Sequence, residues 1–292
     1  MKKILNYSLG RRGFFSEINN MIFCKIYAER HNCKFVVNSF FWNCRLKYGL
    51  RDYFEKSINE VNSVWSSQTI RTMKSSQPIS IRSLFYLVLN ILNNMYLIVN
   101  RKVILGTDVF DDVRDSIFLS SITYEEYSAN VKKVLTPNDK TLEFISQNDL
   151  YATLSKDRFL GVHIRRGDKI TTGEMKSIPL SDYSDLIKKT GYKKVYLATD
   201  DRRVLLELKE KCDGICIYSN PFLKQDGFSE GDFNKNHRQK RYHDTLILLF
   251  DIYMLVKSDH FIGTFSSNLS RIVPCYLGLE KCKSLDIDWY IG

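Results

Sequence analysis

Five prolines in 292 residues are too few for a linker-rich or disordered chain, and 17 tyrosines with 18 phenylalanines supply a large core. Long apolar runs are missing too. The most hydrophobic stretch, residues 84–99 (LFYLVLNILNNMYLIV), is about four residues short of a membrane span and carries Asn90, Asn93 and Asn94. It reads as a buried helix, with peripheral membrane contact as the minority alternative. The opening MKKILNYSLGRRGFF has two lysines, but its apolar part is too short and broken for a secretory leader. The seven cysteines show no zinc-ligand spacing: Cys212 and Cys216 lack a second pair or a histidine at ligand distance. Their odd number and the missing leader point to a reducing compartment, so a cytoplasmic location is expected. Neither GxGxxG nor a P-loop occurs, since Gly161 and Gly167 enclose five residues and no Gly-Lys-Ser/Thr follows. A dinucleotide cofactor is therefore not expected.

What is present is an ordinary globular composition, 44% hydrophobic and 26% charged, with a formal charge of +10. That charge favours anionic ligands; without a basic arm or an RNA-binding signature, nucleic acid is not the expected one. The N-terminal region reads as strand (KILNYSL), tight turn (GRRG), a helix capped by Ser16, then strand (CKFVVNS). Residues 50–80 are polar and serine-rich, 83–100 form a buried helix, and 137–147 after Pro137 another helix. From about 157 the alternation sharpens: FLGVHI, KVYLATDD, GICIYS and HFIGT are strands. LSDYSDLIKKT, RRVLLELKEKC and 239–257 are helices between them, and SSNLSRIVPCYLG opens one more. Such alternation argues for a doubly wound parallel sheet.

Ligands of open α/β sheets bind beyond the carboxyl ends of the strands. Three predicted strands end in polar clusters: His163–Lys169, Asp200–Asp201 and Thr264–Asn268. Arginine forks and a mobile lysine suit phosphate oxygens, so RRGDK reads as a diphosphate clamp, against paired surface charges as the plain alternative. TFSS before a helix suits an anion or a simple cap. ATDD is open to metal binding, sugar-hydroxyl binding or helix capping; a metal-free site is the more economical choice. Asp251 sits inside the apolar helix LILLFDIYMLV and needs donors, either an Arg or Lys partner or the N–H edge of guanine.

GVHIRRGDK, YSDLI, VYLATDD, DIYMLVKSDHFIGTFSSNLSR and SLDIDWYIG, in this order, resemble the α1,6-fucosyltransferases that act on N-glycan cores and rhizobial nodulation factors. GFFSEINNMIFCKIYAERHNCKFVVNSFFWN is similar to that family's first lobe. The resemblance implies a GT-B-like α/β fold, two Rossmann-type lobes with a cleft between them. It places an acceptor-side lobe over 1–155 and a GDP-sugar-binding lobe over 156–292. It implies an inverting, metal-independent transfer of L-fucose from GDP-fucose to an oligosaccharide hydroxyl, α1,6 to a GlcNAc-type sugar, with no cofactor beyond the donor substrate. The alternatives are a protein O-fucosyltransferase, another GDP-sugar transferase, or an inactive GDP-sugar-binding protein. By position, His163 and Asp251 would bind guanine, Arg165, Ser267 and Asn268 the diphosphate, and Ser266 would belong to the same donor site. Arg166, Asp168, Lys169, Asp200, Asp201 and Tyr183 would complete the pocket. Arg165 and Lys169 would stabilise the leaving phosphate, with Glu174 as base and Asp200 or Asp201 as substitutes. Cys44 and Phe15 stand where the family has a tyrosine and a glycine.

Overall fold

The computed structural model describes residues 4–62, 88, 112–154, 156–173, 175–223 and 227–291. The helix expected over 83–100 lies outside the described residues save for Val88, and Glu174 lies outside them altogether. The chain divides into two compact units, 1–138 with 291–292, and 139–290.

In the first unit β1 (Ile4–Ser8), β2 (Lys34–Asn38) and β3 (Glu60–Val61) form a parallel sheet in that order. β1 and β2 are joined by α1 (Phe14–Arg30). The helix begins two residues before the expected cap: Gly13 holds the N-cap position, and the Ser16 carbonyl instead accepts from Asn20 Nδ2 at 2.8 Å. The cause is burial of Phe14, whose ring packs 5.5 Å from Trp42 and 6.2 Å from both Tyr53 and Phe54. Phe15 and Cys44 are buried in the same unit. Helices α2 (Ser116–Ser121) and α3 (Tyr124–Val134) follow. α3 is locked to α1 by bonds from Tyr127 Oη to Asn19 (2.8 Å) and from the buried Lys25 Nζ to Asn130 (2.6 Å).

The second unit opens with α4 (Asp139–Ser146) and α5 (Asp149–Leu154), both before the boundary expected at 155. They belong here because α4 packs on the long helix of this unit's core. Then come β4 (Leu160–Ile164), α6 (Asp168–Thr171), α7 (Leu180–Thr190), β5 (Lys194–Thr199), α8 (Arg202–Lys211) and β6 (Cys216–Ser219). α9 (Glu230–Lys235), α10 (Arg238–Lys257), β7 (His260–Gly263), α11 (Pro274–Leu277) and β8 (Cys282–Ser284) complete it. The five strands pair in parallel, in the order β6-β5-β4-β7-β8.

Strand alternation sorts the side chains into two layers. Leu160, Val162 and Ile164 of β4, with Val195, Leu197, Ile217 and Ile262, pack against Leu180, Tyr183 and Ile187 of α7 and Val204 and Leu208 of α8. The other face meets α10. A Cβ on Gly161 would lie 2.6 Å from Ser258 Oγ and 3.2 Å from Leu255, so the strand and the C-terminal end of α10 approach as closely as glycine permits. His163, two residues on, and Tyr196, the registered partner of Gly161, share that face. The helix expected from Ser266 is a run of turns with mixed i−3 and i−4 bonds. Regular helix begins only at Pro274, which has no N–H to lose at a first turn. No helix of the described residues is long and apolar enough to cross a membrane.

Candidate active site at the switch point of the second sheet

The chain leaves β4 toward β5 and β6, then returns to lay β7 and β8 on the opposite side. The strand order therefore reverses between β4 and β7, where an open parallel sheet forms its ligand crevice. Eight of the thirteen expected residues are described at the ends of these two strands or on the segments that leave them. His163, the penultimate residue of β4, is buried, and its Nδ1 is 2.7 Å from Ser270 Oγ of the segment after β7. Burial, reinforced by the Arg165 guanidinium, lowers its pKa to about 3, so the imidazole is neutral and Nε2 remains to meet a ligand.

Arg165 is the best-fixed cation of the cluster. Its Nη2 donates to Asp168 Oδ1 at 2.8 Å, its Nε lies 3.2 Å from Asp200 Oδ2, and its guanidinium lies 5.1 Å above the Phe228 ring. The Nε contact is an ion pair without hydrogen-bond alignment. Two carboxylates and a ring thus set the orientation of the fork while Nη1 stays uncommitted among the described residues. Asp200 does more than pair with it. Its two oxygens accept the backbone N–H groups of Arg166 (2.7 Å) and Gly167 (2.8 Å), closing the loop after β4 onto the end of β5. Asp168 accepts from the Glu230 N–H at 2.9 Å, tying the same loop to α9. Arg166 turns away from this cluster: it donates to Ser177 Oγ (2.8 Å) and the Ile178 carbonyl (2.6 Å), securing the approach to α7. Lys169 is half-buried in α6.

Asp201 caps α8 through the Arg203 N–H at 2.9 Å and is gripped by the Arg203 side chain, which is the main reason its pKa is lowered. A carboxylate so committed to its helix is a poor proton acceptor. Tyr183 is buried beneath the crevice beside Thr264; burial pushes its hydroxyl up to about 12. Ser266 donates from its hydroxyl to Asp286, which also takes the N–H groups of Phe265 (2.8 Å) and Ser266 (3.3 Å) and the Ser284 hydroxyl (2.8 Å). Burial opposes ionisation of Asp286, but these donors outweigh it and its pKa is lowered. The turn amides expected to face an anion at a helix N-terminus are in part taken by this internal carboxylate. Ser267 is buried, and its hydroxyl has no partner among the described residues; Asn268 accepts from Arg271.

Asp251 meets neither an arginine nor a lysine. Its Oδ1 accepts from Tyr196 Oη at 2.5 Å and from Asn220 Nδ2 at 3.2 Å, two neutral donors. Burial raises its pKa to about 7 against the pull of these bonds. Asp286, Phe228, Ser270, Tyr196 and Asn220 were not singled out from the sequence. Asp286, Tyr196 and Ser270 do fall inside segments that carry the family resemblance, SLDIDWYIG, VYLATDD and DIYMLVKSDHFIGTFSSNLSR, but nothing local marks their roles.

A family model of the Alpha-(1,6)-fucosyltransferase N- and catalytic domains matches residues 11–276. An Alpha-(1,6)-fucosyltransferase of Drosophila melanogaster is 27% identical over 180 residues, 56% of this chain and 27% of that protein. The chain thus spans little more than a quarter of the length of this curated relative. The fucosyltransferase NodZ from Bradyrhizobium superposes with a TM-score of 0.58 at 14% identity, over 95% of this chain and 94% of that one. NodZ alpha-1,6-fucosyltransferase soaked with GDP-fucose gives 0.55 at 13%, over 95% and 93%. POFUT1 in complex with GDP gives 0.55 at 12%, over 97% and 98%. At these identities the likeness concerns the fold, the GT-B-like α/β class expected from the sequence. With a family match that takes in β2 to β7 and the switch point between β4 and β7, the chain belongs to the alpha-(1,6)-fucosyltransferase N- and catalytic domain family.

Proposed function

We propose that this protein transfers L-fucose from GDP-fucose to a hydroxyl of an oligosaccharide acceptor, with inversion and without a metal ion, forming an α1,6 bond to a GlcNAc-type sugar. The observation that carries the reading is Arg165, held at the β4 end of the switch point by Asp168, Asp200 and Phe228 with one edge of its fork uncommitted. As the bond from fucose C1 to the β-phosphate oxygen breaks, charge builds on that phosphate. A guanidinium already oriented stabilises it without reorganising. Lys169 adds a mobile charge, and the Ser267 hydroxyl a donor. The neutral His163 and the Asp251 carboxylate bind the base. The acceptor oxygen attacks C1 from the opposite face as its proton passes to a general base. Asp200, occupied by two backbone N–H groups, and Asp201, occupied by Arg203, act as scaffold in this scheme. Glu174 is assigned the proton.

Likeness to POFUT1 supports a second reading, transfer to a hydroxyl of a folded protein domain. The test is GDP release from GDP-fucose, with EDTA present, offered GlcNAc-terminated oligosaccharides or a folded protein domain. Turnover with the sugar alone supports the first reading and turnover with the protein domain alone the second. GDP binding without turnover on either would mean an inactive GDP-sugar-binding protein.

A further inference from the structure

Asp251 is held by one oxygen only. Both donors that reach it, the Tyr196 hydroxyl from β5 and the Asn220 amide from the turn after β6, converge on Oδ1. Oδ2 accepts nothing from the described residues, and the residue is partly exposed. The two donors are themselves fixed. Tyr196 is fully buried on an inner strand of the sheet, in register with Gly161 and Tyr218. Asn220 is buried, donates also to the Ile247 carbonyl (3.3 Å), and accepts the Phe222 N–H (3.0 Å). We propose that Tyr196 and Asn220 are positioning residues that clamp Oδ1 of Asp251 so that Oδ2 faces the ligand, and that this clamp sets the preference of the site for a base with both a ring N–H and an exocyclic amine on one edge. The proposal rests on the reading of Asp251 as the base contact.

The chemistry is specific. Guanine offers two adjacent donors; hypoxanthine lacks the amine, and adenine presents an acceptor where guanine has its ring N–H. With Oδ1 occupied by Tyr196 and Asn220, an ionised and correctly aimed Oδ2 still has two lone pairs, one for each donor of guanine. A free carboxylate could rotate, and a protonated one would present a donor to a donor. Ionisation is therefore part of the device. Burial opposes it, the two bonds favour it, and no charged neighbour contributes. The facing titratable groups are Tyr196 itself, raised well above its ordinary value by burial, and on the adjacent strand His163, which is neutral. Removing either donor should leave less of Asp251 ionised at neutral pH and shift the rise of GDP affinity to higher pH.

The experiment is calorimetric titration of the full chain with GDP, IDP and ADP from pH 6 to 8.5, for the parent, N220A, Y196F and D251N. In the parent, GDP should bind more tightly as pH rises through about 7 and should outbind IDP. Loss of a hydrogen bond to a charged group predicts a GDP affinity roughly tenfold lower in N220A and in Y196F. In both, the pH midpoint should move up and the GDP-to-IDP ratio should shrink; Y196F keeps the buried ring if N220A fails to fold. Unchanged midpoint and ratio in folded N220A and Y196F, with GDP binding lost in D251N, would overturn the clamp and leave the base contact standing. Unchanged GDP binding and pH profile in D251N would overturn the base contact itself.

Discussion

Arg165 shows how a single side chain can be fixed by its neighbours before any ligand arrives. Asp168 and Asp200 each take part of its fork, and Phe228 covers one face. Arg165→Ala should lower GDP affinity more than about tenfold, since a hydrogen bond between charged groups contributes about 1.5–3 kcal/mol. Asp200 would keep its two backbone N–H partners, so the fold should survive, as circular dichroism would report. An unaltered GDP affinity would remove Arg165 from the site. Its role was legible in the sequence because charge after an apolar strand is conspicuous. Asp200 and Asp201 were legible as a pair, but not in their division of labour. Adjacent strand-end residues point to opposite sides, so one carboxylate reaches the loop of the neighbouring strand and the other starts its own helix. Tyr196 and Asn220 carried no local sign, because a tyrosine in a strand and an asparagine in a turn are ordinary. Their meaning comes from a helix more than thirty residues away, from which Asp251 descends.

At the scale of elements, the loop after β4 and the turn after β7 are built by opposite means. The first depends on the absence of a side chain: a Cβ on Gly167 would lie 2.4 Å from the Phe228 carbonyl and 2.5 Å from Asp200 Oδ2. Gly167→Ala should cost roughly 1–3 kcal/mol and weaken GDP binding together, because the backbone it strikes carries the Arg165 contacts. Equal urea midpoints for variant and parent would count against this. The turn after β7 depends on one side chain, Asp286, which accepts from Phe265, Ser266, Ser284 and the Ile287 N–H. Asp286→Ala leaves donors stranded and should lower stability by roughly 1–3 kcal/mol in the same assay. The strands and most helices of the second unit follow from apolar alternation and Gly-, Asp- or Pro-marked ends. The expected helix at Ser266 does not form because its amides have a better partner in a segment twenty residues on. Periodicity in a window cannot see that partner.

For the molecule as a whole, two desolvated groups at the site work against each other as pH changes. Asp251 has a pKa of about 7 in the folded chain against about 3.9 unfolded. Over that interval the folded state holds the extra proton, so its contribution to stability is present in acid and lost as pH rises toward 7. His163 has a pKa of about 3 folded against about 6.5 unfolded. There the unfolded state holds the extra proton, so its contribution is present above about 6.5 and lost as pH falls. Between about pH 4 and 6.5 the two slopes oppose each other. D251N should therefore lose thermal stability on acidification more steeply than the parent, and parallel melting profiles over that range would refute the assignment. A different consequence follows from where Asp286 stands in the chain. It comes after His163, Arg165, Asp251 and Ser267, and it holds the turn that carries Ser266. During synthesis every candidate ligand leaves the ribosome before the residue that fixes this turn. A nascent chain stopped just short of Asp286 would carry the complete set of binding groups around an unfinished turn, so ligand recognition waits for Asp286 to join the groups made before it.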